Sequence, residues 1–416
     1  MLGLLIAAVG TLTSRVDVVL LALPLLITAA IGIDRHPSHG VTRAVRVSVA
    51  QHPIAPGRVE FTYTVEIEAA RVEYVHLRVT PHGAPLRELV LAPRDCATVS
   101  GRLLTVHSGR QPVVHVSYRV FGQDGAWLTE PSGVYTAEQT VNATATPIGA
   151  IPLPHRLTGL TGTHASSRRG DGGEFRDLHP YAPGDCLRRI DWRATARRSK
   201  GVGDLYVRRT DATSDATVVL VIDSLDDVPE LVAAWPGEYT GTSGVHAMDL
   251  SRAAAASLAV AAIGAGDRVG LIDLASTGNA IAPGGGKRHL ERLLSRIADS
   301  APSGARFSRR RAPVIPPGAI VYLLSTLLDD EVNAIALRWK ATGHRVIWVD
   351  VLPAPRLDGA RPYVRTAHRL LMAERQRNMA AVHRHGGECI RWQEDEQNPS
   401  RLIAVRALAR GGGRRL

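Results

Sequence analysis

Ala216-Thr217-Val218-Val219-Leu220-Val221-Ile222-Asp223 is a continuous apolar run closed by an acid. A strand that rests one face on a core alternates apolar and polar side chains. A run without alternation buries both faces, as strands of a parallel sheet do. The chain downstream has the spacing such a sheet needs. Leu250 to Ile263 is alanine-rich and of helical length. Arg268 to Leu274 reads as a strand, His289 to Ile297 as a helix, Ala319 to Ser325 as a strand, Asn333 to Thr342 as a helix and Arg345 to Val351 as a strand. This alternation predicts a doubly wound α/β sheet over residues 213–416. Sites in such sheets lie at the carboxyl ends of the strands, where Asp223, Asp329 and Asp330 fall.

The stretch just upstream has neither a helix nor a strand period. It reads Gly173-Glu174-Phe175-Arg176-Asp177, Tyr181-Ala182-Pro183-Gly184-Asp185, Arg188-Arg189-Ile190-Asp191-Trp192 and Ala196-Arg197-Arg198. Residues 164–210 carry eleven Lys and Arg against six Asp and Glu. Arg–carboxylate forks fix geometry, and the near neighbours suggest Asp185 with Arg188 or Arg189, and Asp191 with Arg193 or Arg197. Trp192 is expected to anchor the segment against the α/β domain. The surplus arginines suit an acidic partner or a nucleotide-bound protein surface. Catalysis is not indicated: no nucleophile–base pair, Gly-x-Ser-x-Gly elbow or His-Glu-x-x-His accompanies them.

With Glu174-Phe175, Tyr181-x-x-Gly184-Asp185, Arg189-Ile190-Asp191-Trp192 and Ala196-Arg197, the chain resembles the domain-of-unknown-function-58 family. The resemblance implies a layout: an N-terminal membrane segment, an immunoglobulin-like β domain, the signature, and a von Willebrand factor A-like α/β domain. It also implies a membrane-anchored, non-enzymatic adaptor for a MoxR-type AAA+ ATPase in protein assembly or remodelling. Glu174, Arg176, Tyr181, Gly184, Asp185, Arg189, Asp191, Trp192 and Arg197 are then the expected partner contacts. One departure is His179, where family members typically carry an arginine; a histidine weakens any charge pairing there at neutral pH.

Von Willebrand A domains often hold a divalent cation at Asp-x-Ser-x-Ser, a cage of hard oxygens. Here the run is Asp223-Ser224-Leu225-Asp226-Asp227. Asp223 stands, Leu225 cannot ligate, and Asp227 could, with Asp329 or Asp330 as the later acid. A metal-dependent binding or hydrolytic module holding Mg2+ on Asp223, Asp227 and Asp329 is therefore the alternative reading. The competing one has Asp223 hydrogen-bond its own loop. Asp226 to His246 forms a long loop, fit to cover the site or to meet a partner. Gly284-Gly285-Gly286-Lys287-Arg288 lacks phosphate-loop spacing and reads as a turn into a helix. Arg309-Arg310-Arg311 and the tail 411–415 read as solvated linker and terminus.

Residues 35 to 150 alternate in short stretches, among them Ala44 to Val49, Val59 to Val65, Val72 to Val79 and Val113 to Val120, with Gly and Pro between. That pattern predicts a small immunoglobulin-like β-sandwich serving as a spacer or docking module. Pro147 to Pro154 reads as a linker closing it, and 151–212 as the signature segment.

The N-terminus is apolar. Leu2 to Leu12 and Val18 to Ile33 flank Arg15 and Asp17, and each run is shorter than the roughly 20 residues that cross a bilayer. A hairpin turning at Arg15 and Asp17, or a single span formed by the later run, are both open; a cleaved signal peptide ending near Ala29-Ala30 is a third reading. Arg35, Arg43 and Arg46 favour a cytoplasmic location for the domains C-terminal to them, with lipid contacted through residues 1–34. An outward-facing envelope protein is the opposite expectation. The charge of +11, from 50 Lys and Arg against 39 Asp and Glu, is dominated by arginine. No nucleic-acid-binding motif accompanies it, so no nucleic-acid partner is expected. Three widely spaced cysteines give neither a disulfide framework nor a metal pair.

Overall fold

The computed structural model describes residues 2–34, 43–69, 72–92, 96–122, 128–155, 157, 162–198, 201, 204–237, 244–275, 280–302, 312–393 and 405–409. The run 309–311 and the tail 411–415 lie outside these. The chain divides into two units, one ending at Thr140 and one built from most of the remainder.

The first unit begins with two helices, α1 (Leu2–Leu12) and α2 (Val16–Asp34). They form an antiparallel hairpin because α1 offers glycine where α2 approaches. A Cβ on Gly10 would come within 2.8 Å of the Val19 amide, and one on Gly3 within 3.0 Å of Leu25 Cβ. Small residues at a helix seam let backbones meet closely. Ser14 turns the chain with φ 54°, and Arg15 bridges to Asp17 at 2.9 Å. Outward, Leu2, Leu5, Leu12, Leu20 and Leu21 are all exposed by 60% or more.

Seven strands follow in two sheets. One holds β1 (Arg43–Ala55), β2 (Arg58–Ala69) and β5 (Cys96–Thr105) in the order β1-β2-β5. The other holds β3 (Tyr74–Pro81), β4 (Arg87–Leu91), β6 (Gly109–Phe121) and β7 (Tyr135–Val141) in the order β4-β3-β6-β7. Alternate residues Tyr63, Val65 and Ile67 of β2 pack against Val75, Leu77 and Val79 of β3 and Val114 and Val116 of β6. The period-2 pattern thus becomes one shared core between two sheets. Gly101 faces Tyr63 in register, and a Cβ there would collide with the phenol.

The second unit is built on a six-stranded sheet of β10 (Thr217–Ile222), β11 (Arg268–Asp273), β12 (Ile281–Gly284), β13 (Ile320–Ser325), β14 (Arg345–Asp350) and β15 (Glu388–Arg391). The spatial order is β12-β11-β10-β13-β14-β15, with only β12 antiparallel to its neighbour. The apolar run of β10 splits by parity. Val218, Leu220 and Ile222 pack with α4 (Ala247–Gly264) and α5 (Lys287–Asp299). Val219 and Val221 pack with α6 (Asp330–Ala341) and the end of α7 (Pro362–Arg384). Both faces are therefore buried, which is why the sequence shows no alternation.

Helix α4 is long and apolar enough to cross a membrane, yet 67% of it is buried inside this unit. Ala254, Ala255, Ala259 and Ala262 all line its sheet-facing side. Its composition is that of a core helix lying close to a sheet, so it gives no argument for a membrane span.

The stretch read as a linker, Pro147 to Pro154, is part of this core. Ile148 and Ile151 are 1% and 6% exposed, Tyr322 Oη donates to Pro152 O at 2.9 Å, and Arg345 Nη1 donates to Leu153 O at 2.6 Å. Two isoleucines in a Pro-rich run were too few to register as packing in the sequence.

Candidate docking surface

Residues 164–214 leave the sheet as a two-stranded antiparallel ribbon, β8 (His164–Pro180) and β9 (Tyr206–Ser214). The ribbon is fixed at its base. His164 Nε2 lies 2.8 Å from Asp267 Oδ1, and the Ala216 amide donates to the same oxygen at 2.9 Å. At its far end the chain makes a turn, one 3-10 turn at Leu187–Arg189 and the short helix α3 (Trp192–Arg198).

Two acids of the signature, Asp185 and Asp191, close this end locally. Gly184 has φ 101°, a value that favours glycine, and lets Asp185 Oδ2 accept from the Ala182 amide at 3.0 Å. The same oxygen accepts from Arg209 Nη2 at 3.4 Å. The Ala182 amide, then Arg209 and His179, hold the Asp185 carboxyl below the usual range against the opposing effect of burial. Asp191 Oδ1 accepts from the Ala194 amide at 2.9 Å and its own amide donates to Tyr206 O at 2.9 Å. Thr195 Oγ1 accepts from the Tyr206 amide at 3.0 Å. The pairings expected from near neighbours are thus replaced: Asp185 reaches Arg209 on β9, and Asp191 caps α3. His179 Nδ1 donates to Pro180 O at 2.7 Å.

With Asp185 and Asp191 engaged, Arg188, Arg193 and Arg208 face out together with apolar side chains. Trp192 is 68% exposed, Leu187 63%, Phe175 51% and Tyr181 37%. Trp192 therefore does not anchor the segment; the backbone ladder and Asp185–Arg209 do. An open concavity of about 620 Å3 is lined by Arg188, Arg189, Asp191, Trp192, Arg193 and Arg208, with Ile190 and Thr210. Arg208 stands over the Phe175 ring, 5.1 Å from its centroid. Of the expected contacts, Arg189, Asp191 and Trp192 come together here, and Arg197 is exposed in the last turn of α3. Glu174 and Arg176 lie in β8, their side chains outside the described residues. Arg208 and Arg209 were missed by sequence reasoning. Their signal was Val207-Arg208-Arg209, a buried residue, an exposed one and a buried one in a strand.

The three aspartates of the metal reading are each engaged otherwise. Asp223 Oδ2 accepts from Ser325 Oγ at 2.6 Å, and burial, with Asp329 and Asp226 nearby, pushes its carboxyl up to about 6. Asp227 accepts from His246 Nδ1 at 2.7 Å and from the Met248 amide at 3.0 Å. Asp329 caps α6 through the Glu331 amide at 2.8 Å. Among the described residues, no three His, Cys, Asp or Glu side chains are grouped to hold a metal ion. The long loop after β10 returns to α4 through a polar cluster. Asp249 accepts from His107 Nδ1, the Ser108 amide and the His246 amide, and the His107 and His246 rings meet at 4.6 Å. Burial disfavours charge on His246, but Asp227 and then Asp249 outweigh it and raise its pKa.

Residues 177–357 match the family described as protein of unknown function DUF58. The match covers less than half of the chain. It begins inside the signature and runs through β14. Uncharacterised proteins of Mycobacterium bovis and Mycobacterium tuberculosis are each 30% identical over 215 residues, 49% of this chain and 62% of theirs. The match thus spans less than two thirds of those relatives. Among solved structures, that described as ApaA from Bordetella pertussis covers 26% of this chain at 16% identity with a TM-score of 0.19. A likeness at that level carries no argument about this chain.

Proposed function

We propose that this protein, similar over residues 177–357 to the DUF58 family, is a membrane-anchored, non-enzymatic adaptor whose signature segment docks a partner protein. The observation that carries the reading is the division of labour in that segment: Asp185 and Asp191 staple it shut while Arg188, Arg193, Arg208, Trp192 and Phe175 face solvent. Exposed Trp and Arg beside a concavity are the residue types that dominate protein–protein contacts. The partner proposed is a MoxR-type AAA+ ATPase, from the family resemblance. The six-stranded sheet, covered on both faces, is read as von Willebrand A-like. The β-sandwich is read as a spacer.

Anchoring is supported by the α1–α2 hairpin, whose exposed leucines need an apolar environment. A hairpin places both its ends on one side, and Arg46 with its neighbours favours the cytoplasm. The reading is tested by cross-linking the full chain in native membranes. An AAA+ ATPase recovered with it is expected; consistent recovery of none contradicts the reading.

A further inference from the structure

The concavity at the tip of the ribbon has a chemistry of its own. Arg188, Arg193 and Arg208 are exposed, and among the described residues none has a carboxylate in ion-pair range. The one acid in the lining, Asp191, spends Oδ1 on the Ala194 amide. Those three guanidinium groups therefore face the concavity without a carboxylate partner among the described residues. Guanidinium groups at such a site take carboxylates or phosphates through paired N–H bonds. Trp192 beside them gives a flat apolar face, and the Phe175 ring holds Arg208 from behind. The concavity is open rather than enclosing. That form suits a segment of chain lying across it better than a small molecule, which concave sites bury almost completely.

We infer that this concavity binds an acidic segment of a partner protein, its carboxylates on Arg188, Arg193 and Arg208 and an apolar side chain on Trp192. The inference rests on the docking reading above and names the chemistry of what docks. A charge-only site would need no Trp192, and an apolar site would not gather three uncompensated arginines. The same groups could stack and hold a nucleotide, and that is an outcome the test resolves.

The test uses the full chain in nanodiscs of uncharged lipid, titrated with a labelled synthetic peptide alternating glutamate with leucine and phenylalanine. Salt is near physiological, where the screening length is about 8 Å. Saturable binding is expected. Arg188→Glu/Arg193→Glu should weaken it by about tenfold or more, and Trp192→Ala should also weaken it at unchanged charge. Arg46→Glu/Arg102→Glu, which alters net charge equally outside the segment, should change affinity by less than about twofold. Equal weakening by this control overturns the inference, since net charge alone then attracts the peptide. An unaltered affinity in Trp192→Ala also overturns it, as does tighter binding of ATP with displacement of the peptide. Recovery of an ATPase from membranes separates the two claims. If wild type and Arg188→Glu/Arg193→Glu recover it equally, the inference fails and the adaptor reading stands. If wild type recovers none while the peptide behaves as expected, the adaptor reading fails and the inference stands.

Discussion

Arg209 Nη2 meets Asp185 Oδ2 at 3.4 Å, joining the outgoing turn of the signature segment to the strand that returns from it. Arg209 is 8% exposed, so the ion pair is set in the body of the ribbon while the arginines beyond it are solvated. Sequence neighbours do not supply this partner.

Replacing Asp185 by Asn should therefore lower the thermal unfolding midpoint at neutral pH. The folded-state pKa of Asp185 lies below its ordinary value of 3.8. A depressed carboxylate stabilises the fold above that value and loses its contribution as pH falls through the folded pKa. The difference between wild type and Asp185→Asn should shrink as melts are taken from pH 7 down past that value. A difference independent of pH contradicts the pairing.

Asp223 has the opposite sign. Its carboxyl is raised from 3.8 to about 6, so the folded state holds a proton that the unfolded state has released. The contribution of Asp223 to stability should be complete below 3.8 and be lost as pH rises through about 6. Asp223→Asn should remove that slope and stabilise the protein at pH 8 by about 1–2 kcal/mol, discounted because the side chain keeps some solvent contact. Denaturant titrations at two pH values check this. A millimolar Mg2+ shift in the wild-type midpoint that Asp223→Asn abolishes would instead favour the metal reading.

His246 should add a second slope. Its folded pKa lies above the ordinary 6.5, so its contribution is complete below that value and is lost as pH rises through the folded one. Asp227→Asn, which removes the charge of the partner at 2.7 Å, should flatten stability above neutral pH. An unchanged profile contradicts the pairing.

Much of the α/β sheet was legible because burying both faces of β10, β13 and β14 demands unbroken apolar runs. The 23-residue α7 was not legible, since its inner face is partly polar. Arg375 on that face bridges Asp350 at 2.5 Å and donates to Thr326 O at 2.8 Å, contacts that hide a helical stripe from any apolar count. The short strand β12 lacked any such run. At the candidate site, the signature residues were recognisable, but their partners were not. Asp185 finds Arg209 across 24 positions, a distance set by the ribbon register, and Trp192 was assigned inward because large aromatics are usually buried.

Topology gives a further expectation through the cysteines. Cys96 and Cys186 are exposed, while burial pushes the Cys389 thiol up to about 12. With intact cells, an impermeant maleimide should label Ser14→Cys at the hairpin turn and leave Cys96 and Cys186 unlabelled until the membrane is opened. Cys389 should stay unlabelled until denaturation. Labelling of Cys96 in intact cells would establish an outward-facing protein.

The most direct test places a photo-activated cross-linking residue at position 192 of the full chain and irradiates native membranes. The docking account predicts an adduct with an AAA+ ATPase from position 192, weakened by Arg188→Glu/Arg193→Glu, and none from position 135, where exposed Tyr135 serves as control. Adducts from position 135 alone, or none with an ATPase from position 192, would contradict it.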